Sequence, residues 1–315
     1  MQKPAPGAPR LSPTLVLALG ILGSSTASIL IRYAQRDAAS LVIAAYRLSL
    51  ATLALLPVLL TRDRARLRTL TGGELAMILL SGSLLAGHFA TWVSSLEYTS
   101  VASSIVLVQT APLMVAALSP LVLRESLSGW FLAGLLVSTL GGGLVALSDA
   151  CLWQNGLVCP PLAEWLEGAA LKGDALAVGG AVCGAGYLLV GRRLRPSLSL
   201  VPYITLTYGI AAVWLALLAF AAGQPALGYA PRTYLWFLLL AVFPQLLGHS
   251  TYNWALRYLP AAAVAISLLG EPVASIGLAA VLLEEIPSGL RLAGGLLTLG
   301  GILIATRTRP GRKSG

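Results

Sequence analysis

Glu271 is an acid in apolar surroundings, and it stands directly before a proline, Pro272. Burying a charge away from water is costly, so such a residue calls for a reason. A carboxyl in that setting could hold a cationic or amino group of a small molecule, or take up and release a proton. It could equally serve as a structural tie, to Arg47 or to backbone carbonyls freed by the proline. Other polar or aromatic groups are scattered through equally apolar sequence: His88, Trp92 and Gln109 in the first half, Gln245, His249 and Asn253 in the second. Together with Glu271 they are the candidate substrate-binding set. A single polar side chain in an apolar helix more often ties helices together. The set therefore matters more than any one member.

Other chemistry has no residues to carry it. There is no HExxH pattern and no phosphate-cradling Walker loop, and no nucleophile lies near a base. The two histidines lie in different halves with no acidic neighbour in sequence. Three cysteines, without a CxxC or Cys/His cluster, give no metal site. Catalytic residues, metal and cofactor are all expected to be absent, and the chain is read as not an enzyme.

The elements that position the candidates occur twice. Residues 96–125 read LEYTSVASSIVLVQTAPLMVAALSPLVLRE, and residues 256–285 read LRYLPAAAVAISLLGEPVASIGLAAVLLEE. At a constant offset of 160, Tyr98 matches Tyr258, Pro112 matches Pro272 and Glu125 matches Glu285. The same offset pairs Arg32 with Arg192, Gly134 with Gly294 and Gly141 with Gly301. Proline inside a helix removes one backbone hydrogen bond and obstructs another. Pro112 and Pro272 thus predict bends at matching depths, which we read as hinges or cavity walls. Glu271, about eleven residues into its span, would sit roughly 16 Å deep at 1.5 Å per residue.

Composition sets the solvent. The chain is 57% hydrophobic and only 10% charged, with mean hydropathy +0.83. Soluble proteins carry about 25% charged residues. Apolar runs of about 20 residues recur along the whole sequence, each long enough to cross a bilayer as a helix. Polar faces at helical period, which a soluble helical repeat needs, are missing. The sequence predicts an all-α polytopic membrane protein with ten transmembrane helices. Expected spans are 13–33, 40–60, 74–96, 100–122, 127–148, 173–191, 198–222, 231–255, 260–283 and 287–306. The first apolar run is too long for a signal-peptide core and lacks a small-residue cleavage site, so it is read as a span.

The net charge of +9 could suggest nucleic acid, but the charges sit between apolar runs. Arg62, Arg64, Arg66, Arg68, Arg192, Arg193, Arg195, Arg307, Arg309, Arg312 and Lys313 all fall in loops or the tail expected on one side. Only Arg32, Arg36, Lys172, Arg232 and Arg291 fall on the other. By the positive-inside rule both termini are cytoplasmic and the 149–172 loop is outside. No nucleic-acid partner is expected; a small-molecule substrate and the lipid bilayer are, with proton coupling open. Five spans per half is an odd number, so the second half enters from the opposite side. That makes two inverted five-helix repeats, an arrangement typical of secondary transporters. The domain reading is a 1–12 cytoplasmic tail, a 13–148 repeat, a 149–172 loop, a 173–306 repeat and a 307–315 basic tail. In the loop, LAEWLEGAALKGD suggests a short interfacial helix with Trp165 and Leu166 at the membrane boundary. Cys151 and Cys159 share that loop and could form a disulfide on an oxidising face.

These features resemble the drug/metabolite transporter superfamily, in particular its EamA-type branch, over about residues 13–306. The resemblance rests on several stretches: LGSSTASILIRYA with KGDALAVGGAVCGAGYLLVGRRL, the LEYTSVASS and LRYLPAAAV entries, the central prolines with EP in the second half, and LRESLSGWFLAG with LEEIPSGLRLAG. It implies a multi-pass inner-membrane transporter, usually an exporter of amino acids, other metabolites or drugs. It also implies a central cavity between the halves. The long Cys-bearing outer loop departs from the family pattern. A non-transporting membrane scaffold or sensor, or a membrane-embedded enzyme, are the alternative readings.

Overall fold

A computed structural model of the chain describes residues 13–115, 118, 129–150, 152–153, 157–159, 168–258, 264, 268 and 270–306. Its helices are α1 (Pro13–Ser25), α2 (Ala27–Ala34), α3 (Ser40–Arg62), α4 (Arg64–Arg68), α5 (Gly72–Ser95), α6 (Val101–Val108) and α7 (Gly129–Ala150). After a two-residue hairpin, β1 (Leu152–Trp153) with β2 (Leu157–Val158), come α8 (Ala169–Leu194), α9 (Leu200–Ala221) and α10 (Pro231–Leu240). A π-helical stretch (Ala241–His249) leads into α11 (Ser250–Ala255), and α12 (Gly270–Leu282) and α13 (Gly289–Thr306) follow. Among the described residues, six helical stretches are long and apolar enough to cross a membrane: Leu15–Ala34, Ser40–Arg62, Gly72–Ser95, Ala169–Leu194, Leu200–Ala221 and Pro231–Ala255. Helices suit such apolar sequence because they satisfy their own backbone groups without water.

Local chemistry sets the ends and bends. Thr71 accepts from the Glu74 backbone N–H, and Glu74 accepts from the Thr71 N–H, a reciprocal cap that starts α5. Ser100 caps α6 by accepting from Ser103 N–H. Gly223, at φ +67°, lets the chain turn out of α9, and the N–H groups of Gly223 and Gln224 bond Phe220 and Ala219 carbonyls. Between α1 and α2, Ser25 Oγ donates to Ile21 O and Thr26 Oγ1 to Gly23 O. Such hydroxyl back-bonding bends a helix. Pro244 lies inside the π-helical stretch, where the usual ladder is displaced. Helix α8 begins at Ala169, four residues before the expected span, so Lys172 is helical and its ammonium lies 4.0 Å from the Tyr98 ring centroid.

Packing is reciprocal between the halves. Helix α5 packs on α8, and its counterpart in the other half, the π-helical stretch, packs on α1. Helices α7 and α13, 160 positions apart, pack directly on one another, as do α3 with α9 and α6 with α12. A Cβ at Gly141 would lie 2.4 Å from Thr298 N, and one at Gly301 would lie 2.4 Å from Ser138 N. Position 138 matches 298, so a single contact is made twice. Large apolar side chains such as Leu136, Leu140, Phe220 and Val281 point outward, as lipid-facing residues do.

Loops expected on one side of the membrane meet one another. Arg32 pairs with Glu285 at 3.2 Å, and Glu285 accepts from Val101 N–H. Asp37 accepts from Ala230 N–H and Thr233 Oγ1–H. Those two bonds, the Thr233 hydroxyl's first, hold the Asp37 carboxyl below its usual value of 3.8. On the opposite face Ser199 Oγ reaches Asp63 at 3.5 Å. The tails 1–12 and 307–315, Glu125, Cys151, Trp165 and Leu166 lie outside the described residues. Cys159 is disulfide-bonded and Cys183 is free.

Candidate functional site

A break in helical structure precedes each central proline. Helix α6 breaks at Gln109 and Thr110, just before Pro112, and resumes at Ala111. This is where the proline ring and its missing N–H are felt. In the second half α12 starts at Gly270, which places Pro272 in its first turn, where a missing N–H costs nothing. Glu271 therefore stands in the first turn of α12, directly before the proline.

The break in α6 turns Gln109 toward α12. Its Nε2 donates to Leu268 O at 3.1 Å and to Glu271 Oε2 at 3.3 Å. Ser275, one turn beyond Glu271, donates to Ser25 O at 3.0 Å and ties α12 to α1. Glu271 is thereby held at the meeting of both halves.

Across from it lies Arg47 of α3, only 1% exposed. Its Nε donates to Gln245 Oε1 at 2.8 Å, and its guanidinium carbon lies 4.3 Å from the Phe89 ring centroid. Cation–π contact and one charge-assisted hydrogen bond hold the group. Nη1 and Nη2 are buried and have no hydrogen-bond partner among the described residues. Among the described residues, Arg47 and Glu271 make no ion pair.

Two histidines complete the site. His88 Nδ1 lies 2.8 Å from Gly180 O; because that oxygen only accepts, Nδ1 carries the hydrogen. Gly184 makes room for the ring, since a Cβ there would lie 2.9 Å from His88 Nδ1. His249, at the end of the π-helical stretch, has its ring 6.1 Å from that of His88 and 5.9 Å from Tyr252. Trp92 stacks on His88 at 5.8 Å.

These groups surround one cavity of about 70 Å³. Of the residues predicted from sequence, His88, Trp92, Gln109, His249 and Glu271 line it. Gln245 and Asn253 stand one layer behind: Gln245 holds Arg47, and Asn253 donates to Tyr187 Oη and His249 O. Pro112 is buried and Pro272 contributes backbone to α12. Sequence reasoning did not place Arg47, Ser24, Tyr187, Pro244 or Tyr252 on the wall, yet they line it. The glycine pair Gly180 and Gly184, four apart on α8, was the available signal for the close approach of α5.

The cavity is walled by residues of both matched halves. The sequence profile of the EamA-like transporter family matches residues 11–147 and 171–307. The chain belongs to the EamA-like transporter family. EamA-type proteins are members of the drug/metabolite transporter superfamily, and this one is a multi-pass transmembrane transport protein. No curated protein is significantly similar to it in sequence. A crystal structure whose description names no function shares its fold, with a TM-score of 0.64 over 93% of this chain and 96% of that one, at 21% identity.

Proposed function

We propose that this EamA-family protein is a secondary transporter that exports small organic metabolites, amino acids or related compounds, across the inner membrane. Transport proceeds by alternating access around the midplane cavity. The observation that carries this reading is the cavity itself, walled by both halves and lined by Arg47 and Glu271 beside two histidines and Trp92. Its volume of about 70 Å³ is far below the roughly 300–1,000 Å³ of a small-molecule site, so binding requires the walls to move. The broken helices at Pro112 and Pro272, with Pro244 in the π-helical stretch, supply the hinges. The reciprocal packing supports ten spans as two inverted repeats, related by a two-fold axis in the membrane plane. Loop charge supports cytoplasmic termini. Glu271 receives an amino group or a proton.

The test is efflux of a metabolite panel from cells overexpressing the protein, repeated with the proton gradient collapsed. Lowered cellular content of a panel member, recovered chemically unchanged outside, is expected. No efflux of any member, or a chemically altered product, would count against transport.

A further inference from the structure

Arg47 is a buried charged group whose two terminal nitrogens have no hydrogen-bond partner among the described residues. A buried guanidinium with both terminal nitrogens unpartnered is an expensive arrangement, because unmade hydrogen bonds of a charged group carry the full desolvation cost. Among the described residues, no group accepts from Nη1 or Nη2. Gln245 takes only Nε, and the Phe89 ring covers one face without accepting an in-plane hydrogen bond. Glu271, the acid on the same cavity, is bonded by Gln109 and stands beyond ion-pair distance from Arg47. Among the described residues, another buried polar atom on this wall also lacks a partner: Trp92 Nε1, which can only donate. The wall around Arg47 thus offers donors and needs an acceptor.

We propose that Arg47 holds the anionic end of the transported molecule, and that this end is a carboxylate accepting from Nη1 and Nη2 together. A guanidinium presents its nitrogens as a planar fork that matches two carboxylate oxygens. Gln245 and Phe89 fix the fork before the ligand arrives, which lowers the ordering cost of binding. A phosphate dianion fits less well, since Glu271 shares the cavity and would repel a second negative charge. The aromatic rings of Trp92, Tyr187 and Tyr252 leave an apolar body as the remainder of the ligand. This assignment deepens the transport reading above by naming the chemistry of the substrate's recognised end.

The experiment uses the full-length protein in lipid nanodiscs. Thermal unfolding is followed with two matched probe sets at one millimolar-range concentration. One set is 4-methylpentanoate, L-leucine, 4-methylpentanamide and 3-methylbutylamine; the other is 3-phenylpropanoate and 3-phenylpropanamide. A ligand that binds only the folded state raises the midpoint according to its concentration over Kd. The carboxylates of at least one set should raise the midpoint, and their amides should not; the amine reports on Glu271 separately. Arg47→Lys, which keeps the charge but loses the fork, and Arg47→Gln should weaken carboxylate binding about 30-fold or more. Should Arg47→Gln fail to fold, the wild-type contrast between each acid and its amide decides alone. An amide that binds as well as its acid, carboxylates that shift nothing, or undiminished binding by Arg47→Lys and Arg47→Gln would each overturn the assignment. Proteoliposome flux of the same compounds separates the two readings. Carboxylates bound but never carried would leave Arg47 assigned and defeat transport; amines or amides carried without carboxylate binding would do the reverse.

Discussion

Gln35 and Arg195 occupy matching positions at the ends of the first helical span of each half, and each donates to the matching carbonyl of its own half. Gln35 Nε2 donates to Val93 O, and Arg195 Nε donates to Asn253 O, 160 positions further on. Different side chains thus make one clamp twice, between the first span and the third of each half. The cavity behaves in the opposite way. The position matching Glu271 is Ala111, that matching Arg47 is Thr207, and that matching His88 is Gly248. Even the close crossings are filled unequally: His88 lies over Gly184, whereas Ser24 lies over Gly248. Backbone packing is repeated because both halves must solve one geometric problem. Side-chain chemistry is not repeated: the cavity between the halves holds Glu271 and Arg47, each without a like residue at its matching position. Symmetry therefore marks the scaffold, and its loss marks the cavity.

That contrast can be broken at the scaffold first. Gly141→Ala and Gly301→Ala each drive a methyl group into the partner helix's backbone, so each should cost about 3 kcal/mol, the upper end for overpacking. Gly300→Ala, with nothing within 4 Å of its Cβ, should be neutral or gain up to about 1 kcal/mol. Unfolding in detergent checks all three; a large loss at only one of the matched glycines would deny the reciprocal packing. The clamps should rank next. Arg195→Ala leaves the Asn253 and Leu198 carbonyls without a charged donor and should cost about 2 kcal/mol. Gln35→Ala should cost about 1 kcal/mol, and Arg195→Gln should fall between the two. Equal losses at both positions would mean the charge adds nothing.

The smallest effect concerns one face. The Asp37 carboxyl titrates below 3.8 in the folded protein, so its contribution is complete above that value and is lost as pH falls through the lower folded one. The midpoint difference between wild type and Asp37→Ala should stay constant from pH 8 to 5 and close only below about pH 4. A difference that closes already near pH 6 would show that another group carries it. Orientation has its own check. Cysteine labelling should find position 66 inside and position 155 outside, and outside labelling at 66 would reverse the assignment. Mass spectrometry of unreduced protein should find Cys151 joined to Cys159; the β1–β2 register, Leu152 opposite Val158, is the one such a bridge needs.

Much of this was legible in the residues. The matched stretches of the two halves resemble the family to which the chain belongs, and the polar and aromatic groups set in apolar sequence include five members of the cavity wall. Arg47 was legible only as a conceivable partner of Glu271, not as a wall residue. The reason is physical: a helix that is apolar all round carries no polar stripe to fix its rotation. Tyr187, Tyr252 and Ser24 were hidden in the same way. Pro244 signals a disturbed helix, but a proline does not say how the ladder is rerouted, so the π-helical stretch and the placing of His249 needed the structure.

The most direct test of the account is transport by Glu271→Gln. The amide keeps the shape and the contact with Gln109, so expression and melting temperature should match wild type. Efflux from overexpressing cells, measured across pH on the compound the wild type exports, should nevertheless fall sharply or lose its pH dependence. A well-folded Glu271→Gln protein that exports at the wild-type rate with the wild-type pH profile would contradict a cavity carboxyl at the centre of the transport cycle.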